Sequence, residues 1–178
     1  PFDYRTDWNW QSRGNAQGDI TVPAGARVKL ILGQEGARDM SWVSRLRPDD
    51  LYFLEVYPHP ANANSYPFGD AQMQHLAHLT GLVELELMYV QTTAQGLQHL
   101  TAMKSLEKLL YYSPEAGNAE LKSIGKLTSL QVLHLSKMKW DDQGLIQLAN
   151  LNLLEEINLP HAGVPGAGFD TVLALPAL

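Results

Sequence analysis

The chain has no cysteine, so disulfides and thiolate metal sites are excluded. It has no arginine after Arg47: residues 51–178 hold six lysines against twelve acids, while residues 1–50 balance at seven and seven. The whole net charge of −6 therefore lies in the later part. An acidic body of this kind repels phosphate backbones, and the basic stripe that nucleic acid requires is missing. No apolar run approaches the ~18 residues of a membrane span. There is no Gly-rich phosphate loop, nucleophile elbow or H-E-x-x-H motif, and no cofactor is expected. The chain opens on Pro1 without a signal-peptide pattern, which suggests a leader already removed or an excised piece.

What the sequence does contain is a repeat. Leu82-x-x-Leu85-x-Leu87 returns as Leu106-x-x-Leu109-x-Tyr111, Leu130-x-x-Leu133-x-Leu135 and Leu154-x-x-Ile157-x-Leu159, at intervals of 24 residues. A second apolar arm lies between these copies: Leu97/Leu100/Met103, Leu121/Ile124/Leu127, Leu145/Leu148/Leu151 and Phe169/Val172/Leu175. An earlier copy, Leu51-x-x-Leu54-x-Val56, precedes Leu82 by 31 residues, and the surplus falls in a turn-rich loop over 57–67. Self-similarity at this period predicts stacked supersecondary units. One unit buries six or seven apolar side chains at roughly 1.5–3 kcal/mol each. Ordering its backbone costs about 1–2 kcal/mol per residue, so a unit alone is unstable and its neighbours must share the core.

Ahead of the repeats, residues 1–19 are polar but carry Phe2, Tyr4, Trp8 and Trp10, which reads as an aromatic plug over the end of the stack. Ile20-x-Val22 and Val28-x-Leu30-x-Leu32 flank Pro23-Ala-Gly-Ala26 and predict a β-hairpin. Gly33 and Gly36 break that pattern, after which Met40, Trp42, Val43 and Leu46 follow helical spacing up to Pro48.

The L-x-x-L-x-L strand pattern, with Gln95-Gly96-Leu97 and Gln143-Gly144-Leu145 after it, resembles the leucine-rich-repeat family in its 24-residue bacterial form. The resemblance covers residues 51–178. It implies an α/β fold: a right-handed solenoid with a parallel concave sheet and convex helices. Residues 1–50 would form an N-terminal cap of aromatic segment, hairpin and helix. Strands would start near 51, 82, 106, 130 and 154, with a sixth cut at Leu178. The family's turn asparagine is replaced by Val90, Pro114, Met138 and Ala162, so the turn must satisfy its backbone otherwise. The repeat holding Tyr111, Tyr112 and Pro114 is the least regular, and a local distortion is expected there. The Ile20–Gly25 leader is similar to those of exported members, which favours a periplasmic or cell-surface bacterial location over the cytoplasm.

If these strands share a register, the residues between the inward leucines form three outward columns. The first is Phe53, Glu84, Lys108, Val132 and Glu156; the second is Glu55, Glu86, Leu110, His134 and Asn158; the third is Tyr57, Met88, Tyr112, Ser136 and Pro160. A face spanning about 20 Å and rich in aromatics, Met and branched residues fits a protein or peptide ligand. The expected contacts are Phe53, Glu55, Tyr57, Glu84, Glu86, Met88, Lys108, Leu110, Tyr112, Val132 and His134. The alternative is a face covered by the N-terminal segment or the 57–67 loop. Two further readings are a spacer segment, with contact through the open C-terminal end, and an enzyme or carbohydrate binder using Trp8, Trp10 and the 57–67 loop. His75 and His78 lack the third ligand that a metal needs. Asp141 and Asp142 read as a helix N-cap. Acid–base work by Glu55, Glu84 and Glu86 is discounted, because a solvated sheet face should leave carboxyl groups unperturbed.

Overall fold

The computed structural model describes residues 21–58, 68–160 and 166–178. Six strands form one parallel sheet in chain order: β1 (Lys29–Leu32), β2 (Phe53–Val56), β3 (Glu84–Met88), β4 (Lys108–Tyr112), β5 (Val132–Ser136) and β6 (Glu156–Asn158). Helical segments connect successive strands, an arrangement that fits an α/β solenoid. They are α1 (Gln34–Arg38), α2 (Asp70–Leu76), α3 (Ala94–Gln98), α4 (Asn118–Ile124), α5 (Asp142–Leu145) and α6 (Ala167–Leu173), with 3-10 turns at Ser41–Arg45, His99–Ala102 and Ile146–Leu148.

Period-two alternation turns Leu54, Leu85, Leu109 and Leu133 into the core together with Val56, Leu87, Tyr111 and Leu135. The leading Leu51, Leu82, Leu106, Leu130 and Leu154 are buried with them, as are Met73, Leu97, Leu121 and Leu145 from the helices. Each strand enters the sheet through the same hydrogen bonds. A single carbonyl accepts two N–H groups of the next coil: Tyr52 from Val83 and Glu84, Val83 from Glu107 and Lys108, Glu107 from Gln131 and Val132, and Gln131 from Glu155 and Glu156.

The same device begins earlier than the leucine pattern. Val28 accepts from Tyr52 and Phe53, and Lys29 pairs with Phe53, again 24 positions on. β1 is therefore a parallel sheet strand, and the expected hairpin is not formed among the described residues. Pro23 does accept a turn bond from Ala26, with Gly25 at φ 79°, but Thr21 and Val22 lie in no strand, and Ile20 is outside the description. The physical reason is that Val28, Leu30 and Leu32 pack on the shared core, where β2 supplies a full row of partners. Gly33 and Gly36 do end the alternating pattern: β1 stops at Leu32, Gly33 caps α1 and Gly36 lies within it.

Two kinds of repeat alternate. α2 and α4 each span seven residues and start from a glycine whose N–H donates to a side chain three residues on, Gly69 to Gln72 Oε1 (3.0 Å) and Gly117 to Glu120 Oε2 (2.6 Å). α3 and α5 are shorter, continue as 3-10 turns, and start from Thr93 and Asp141, whose side chains accept from the first-turn N–H groups. Asp70 reaches across to Thr93 N (2.7 Å) and Oγ1 (2.6 Å), while Asn118 Nδ2 donates to Asp141 Oδ1 (2.7 Å). A Cβ at Gly96 or Gly144 would run into Asp70 or Asn118, so the shorter helices carry glycine where the longer ones carry Gln72 and Glu120. The Asp141 carboxyl is held below its ordinary range by the Asn118 amide and then by the α5 N–H groups, as expected of an N-cap.

Within the apolar turn column, the Val90 backbone is satisfied by a neighbour, while Ala162 lies outside the described residues. Val90 O accepts from Ser113 Oγ (2.9 Å), Thr92 O accepts from Tyr111 Oη (3.1 Å), and Thr92 Oγ1 meets the same phenol at 2.8 Å. Burial pushes the Tyr111 phenol up to about 12. Tyr89 (φ 55°) and Lys137 (φ 61°), which are 48 positions apart, end their strands in the left-handed region; Ser113, between them, does not. The distortion expected near Pro114 is thus confined to the turn, and β4 keeps full register with both neighbours.

Candidate ligand-binding face

The observed register produces the columns. Lys29, Phe53, Glu84, Lys108, Val132 and Glu156 are successive Cα partners, and so are Ile31, Glu55, Glu86, Leu110, His134 and Asn158. In the third row Met88, Tyr112 and Ser136 are partners, with Tyr57 just past β2. The face therefore includes one strand more than the leucine pattern indicated.

The columns are not equally accessible. Phe53 is 3% and Glu84 5% exposed, so these two lie in the floor of the face. The physical reason is local cover: Lys29 Nζ sits 3.9 Å over the Phe53 ring, and Lys108 Nζ lies 4.0 Å from Glu84 Oε2. Glu55, Tyr57, Glu86, Met88, Lys108, Leu110, Tyr112, Val132 and His134 are half-buried. Lys29 Nζ also pairs with Glu55 Oε2 at 2.8 Å, and His134 Nε2 meets Glu156 Oε1 at 2.7 Å.

Two neighbouring carboxyl groups of β3 are perturbed here. Burial raises the Glu86 carboxyl to about 7; the Glu55 charge adds to this and the Glu84 charge adds least, against Lys29 and Lys108. Burial also raises Glu84, opposed by Lys108, Lys29 and Arg27. The expectation that a sheet face leaves carboxyl groups unperturbed is overturned. Packed side chains on neighbouring strands, about 4.8 Å apart, exclude enough water from one another to desolvate a carboxylate.

One contributor was not evident from spacing alone. Tyr89 turns from the end of β3 so that its ring lies 5.6 Å from Tyr57, edge-on at 74°, and 4.4 Å from Tyr112, tilted at 43°. The three tyrosines form one aromatic row along the C-terminal ends of β2, β3 and β4. The sequence signal is Tyr89 itself, directly after the strand, in a left-handed turn that redirects its side chain.

His78 Nε2 meets Leu46 O at 2.7 Å, and no group of three or more metal-ligating side chains occurs among the described residues. Trp8, Trp10 and loop residues 59–67 lie outside the described residues. No helix is long and apolar enough to cross a membrane among the described residues.

No protein-family model matches the chain, and no curated protein matches it. Among solved structures it is similar to the crystal structure of an internalin (inlF) from Listeria monocytogenes str. 4b F2365, at 19% identity and a TM-score of 0.41. The alignment covers 64% of this chain and 36% of that one, so the chain spans about a third of its length.

Proposed function

We propose that the chain is a non-enzymatic leucine-rich-repeat module whose sheet face binds a protein or peptide. In this reading the stack is a right-handed solenoid of the bacterial 24-residue kind, closed at its start by residues 1–50 and working outside the cytoplasm. One observation carries it: the strand register aligns Glu86, Leu110 and His134 beside Met88 and Tyr112, with the Tyr57–Tyr89–Tyr112 row along the edge. A rigid ladder holding aromatic and thioether groups in line offers contact area with little entropy left to lose, which is what interface cores are made of.

The test is selection of short random peptides displayed on phage against the wild type and a Tyr57→Asp, Leu110→Asp, Tyr112→Asp variant. Peptides enriched on the wild type and lost on the folded variant support the reading. Equal enrichment on both moves binding off this face.

A second reading is a spacer or assembly segment. β6 has β5 as its sheet neighbour, and Leu153 and Leu173 are more than half exposed. A mass that rises with concentration in sedimentation would favour it.

A further inference from the structure

We infer that Lys137, displayed beside Ser136 at the end of β5, receives a carboxylate carried by a peptide partner; this rests on the face-binding reading above. The left-handed turns after β3 and β5 decide which side chains reach the face there.

Strict alternation turns the first residue past each strand inward. Ser113, after β4, obeys it: it is 1% exposed, and its hydroxyl donates to Val90 O inside the stack. Tyr89 and Lys137 hold the same place after β3 and β5, with φ at 55° and 61°, and neither is buried. The left-handed turn reverses the alternation, so Met88 and Tyr89, like Ser136 and Lys137, are consecutive outward residues. Tyr89 shows where such a side chain goes, since its ring lies 4.4 Å from that of Tyr112 in the outward row. Lys137, with nearly the same φ, is exposed on the other flank of Tyr112, whose register partner is Ser136.

The fold requires the turn but not these residues. Tyr89 and Lys137 each stand four positions ahead of the N-cap of a shorter helix, Thr93 and Asp141, so the left-handed backbone goes with that kind of coil. Glycine or asparagine adopts it without the clash that a longer side chain meets. For Tyr89 the ring contacts with Tyr57 and Tyr112 offset the strain. Lys137 has no such compensation, because its ammonium makes no ion pair and no hydrogen bond among the described residues. Strain kept at an exposed residue that the packing does not use points to a contact made outside the chain.

Charge and donors select the occupant. The other lysines of the sheet and its rim face acids of this chain: Lys29 with Glu55 at 2.8 Å, Lys108 with Glu84 at 4.0 Å, and Lys139 with Glu115 at 3.6 Å. Lys137 does not. Next to it the half-buried Ser136 hydroxyl also makes no hydrogen bond among the described residues. An ammonium with a hydroxyl donor beside it suits a carboxylate, which accepts from both. Glu55, Glu84 and Glu86 on β2 and β3 repel the same carboxylate from the opposite flank, which holds it to the β5 side. Leu110, half-buried on β4 between the two flanks, would take an apolar residue of that peptide.

The experiment selects random phage-displayed peptides on the whole chain and synthesises the most enriched sequence as the probe. Its Kd is measured with the wild type, Lys137→Gly and Lys137→Glu. Glycine fits the left-handed turn, so Lys137→Gly keeps the fold, and its urea midpoint should equal or exceed that of the wild type. The expected result is an Asp or Glu at a fixed place in the enriched peptides and a roughly tenfold weaker Kd with Lys137→Gly, the scale of one lost charge-assisted pair. Lys137→Glu should bind more weakly still and recover when that acid of the peptide is changed to lysine. Enriched peptides without an acid, or a Kd unchanged in Lys137→Gly, overturn the carboxylate contact and leave the face reading standing. No enrichment on the wild type over the Tyr57, Leu110 and Tyr112 variant overturns both. A lower urea midpoint for Lys137→Gly overturns the strain argument. A mass that rises with concentration for the wild type but not for Lys137→Gly assigns the acid to a second copy and overturns the peptide.

Discussion

Replacing Glu86 with glutamine should stabilise the protein at alkaline pH and leave it unchanged in acid. The Glu86 carboxyl stands at about 7 in the fold against 4.5 for an unperturbed glutamate, because of burial and then the Glu55 charge. Between those values the folded chain holds more protons at this site than the unfolded chain. Stability therefore falls as pH rises through the window from about 4.5 to about 7, and the deficit stays constant above it. A shift of this size corresponds to about 3 kcal/mol before screening, and partial exposure lowers it to about 2 kcal/mol. Glutamine keeps the shape and cannot ionise. Urea unfolding of both proteins at a series of pH values gives the difference directly, because every group but the one at position 86 is common to both. The two curves should coincide near pH 4.5 and separate by about 2 kcal/mol at pH 8, with the variant more stable. Parallel curves, or a variant less stable at pH 8, would refute the desolvation argument.

Three further outcomes follow from the core and the stack. Tyr111→Phe leaves Thr92 O and Oγ1 without the buried phenol they meet, and should cost about 1–2 kcal/mol in urea unfolding. Gly125→Ala drives a Cβ into the backbone carbonyl of Gln147 in the next coil, which cannot rotate away; a loss of about 1–3 kcal/mol is expected. Asn118→Ala removes both the amide cap on Asp141 and its hold on the Asp141 N–H, and should lower the melting temperature by a few degrees, the scale of about 1 kcal/mol.

Much of this architecture is written in the leucines. The intervals from Leu82 to Leu154 fix where β3 to β6 begin, because inward positions at i, i+3 and i+5 leave the intervening residues a single side to face. β1 escaped the pattern because Arg27 stands where a leading leucine would, although Val28 to Leu32 carry the alternation and meet β2 at the same 24-residue offset. The two-repeat alternation was also present in the letters, as Gly69…Gln72 and Gly117…Glu120 against Thr93-x-Gln-Gly96 and Asp141-x-Gln-Gly144. Its meaning needs the third dimension, since Gly96 and Gly144 matter only once Asp70 and Asn118 of the preceding coil lie against them. The outward columns were legible because register follows from the period. Their electrostatics were not: the burial of Glu84 and the raised Glu86 depend on which side chains of β1, β2 and β4 close over them. Tyr89 was missed for a similar reason, because a left-handed turn, not strand alternation, aims its ring.

The central claim is that the sheet face, and not the helical side, receives a ligand. The most direct measurement is methyl NMR of the wild type with a library-selected peptide carrying a nitroxide label. The account predicts that Met88, Leu110 and Val132 methyl signals broaden while Met73, Leu97 and Leu121 beneath the helices are spared. Broadening centred on the helical methyls, or spread evenly over both sets, would contradict it.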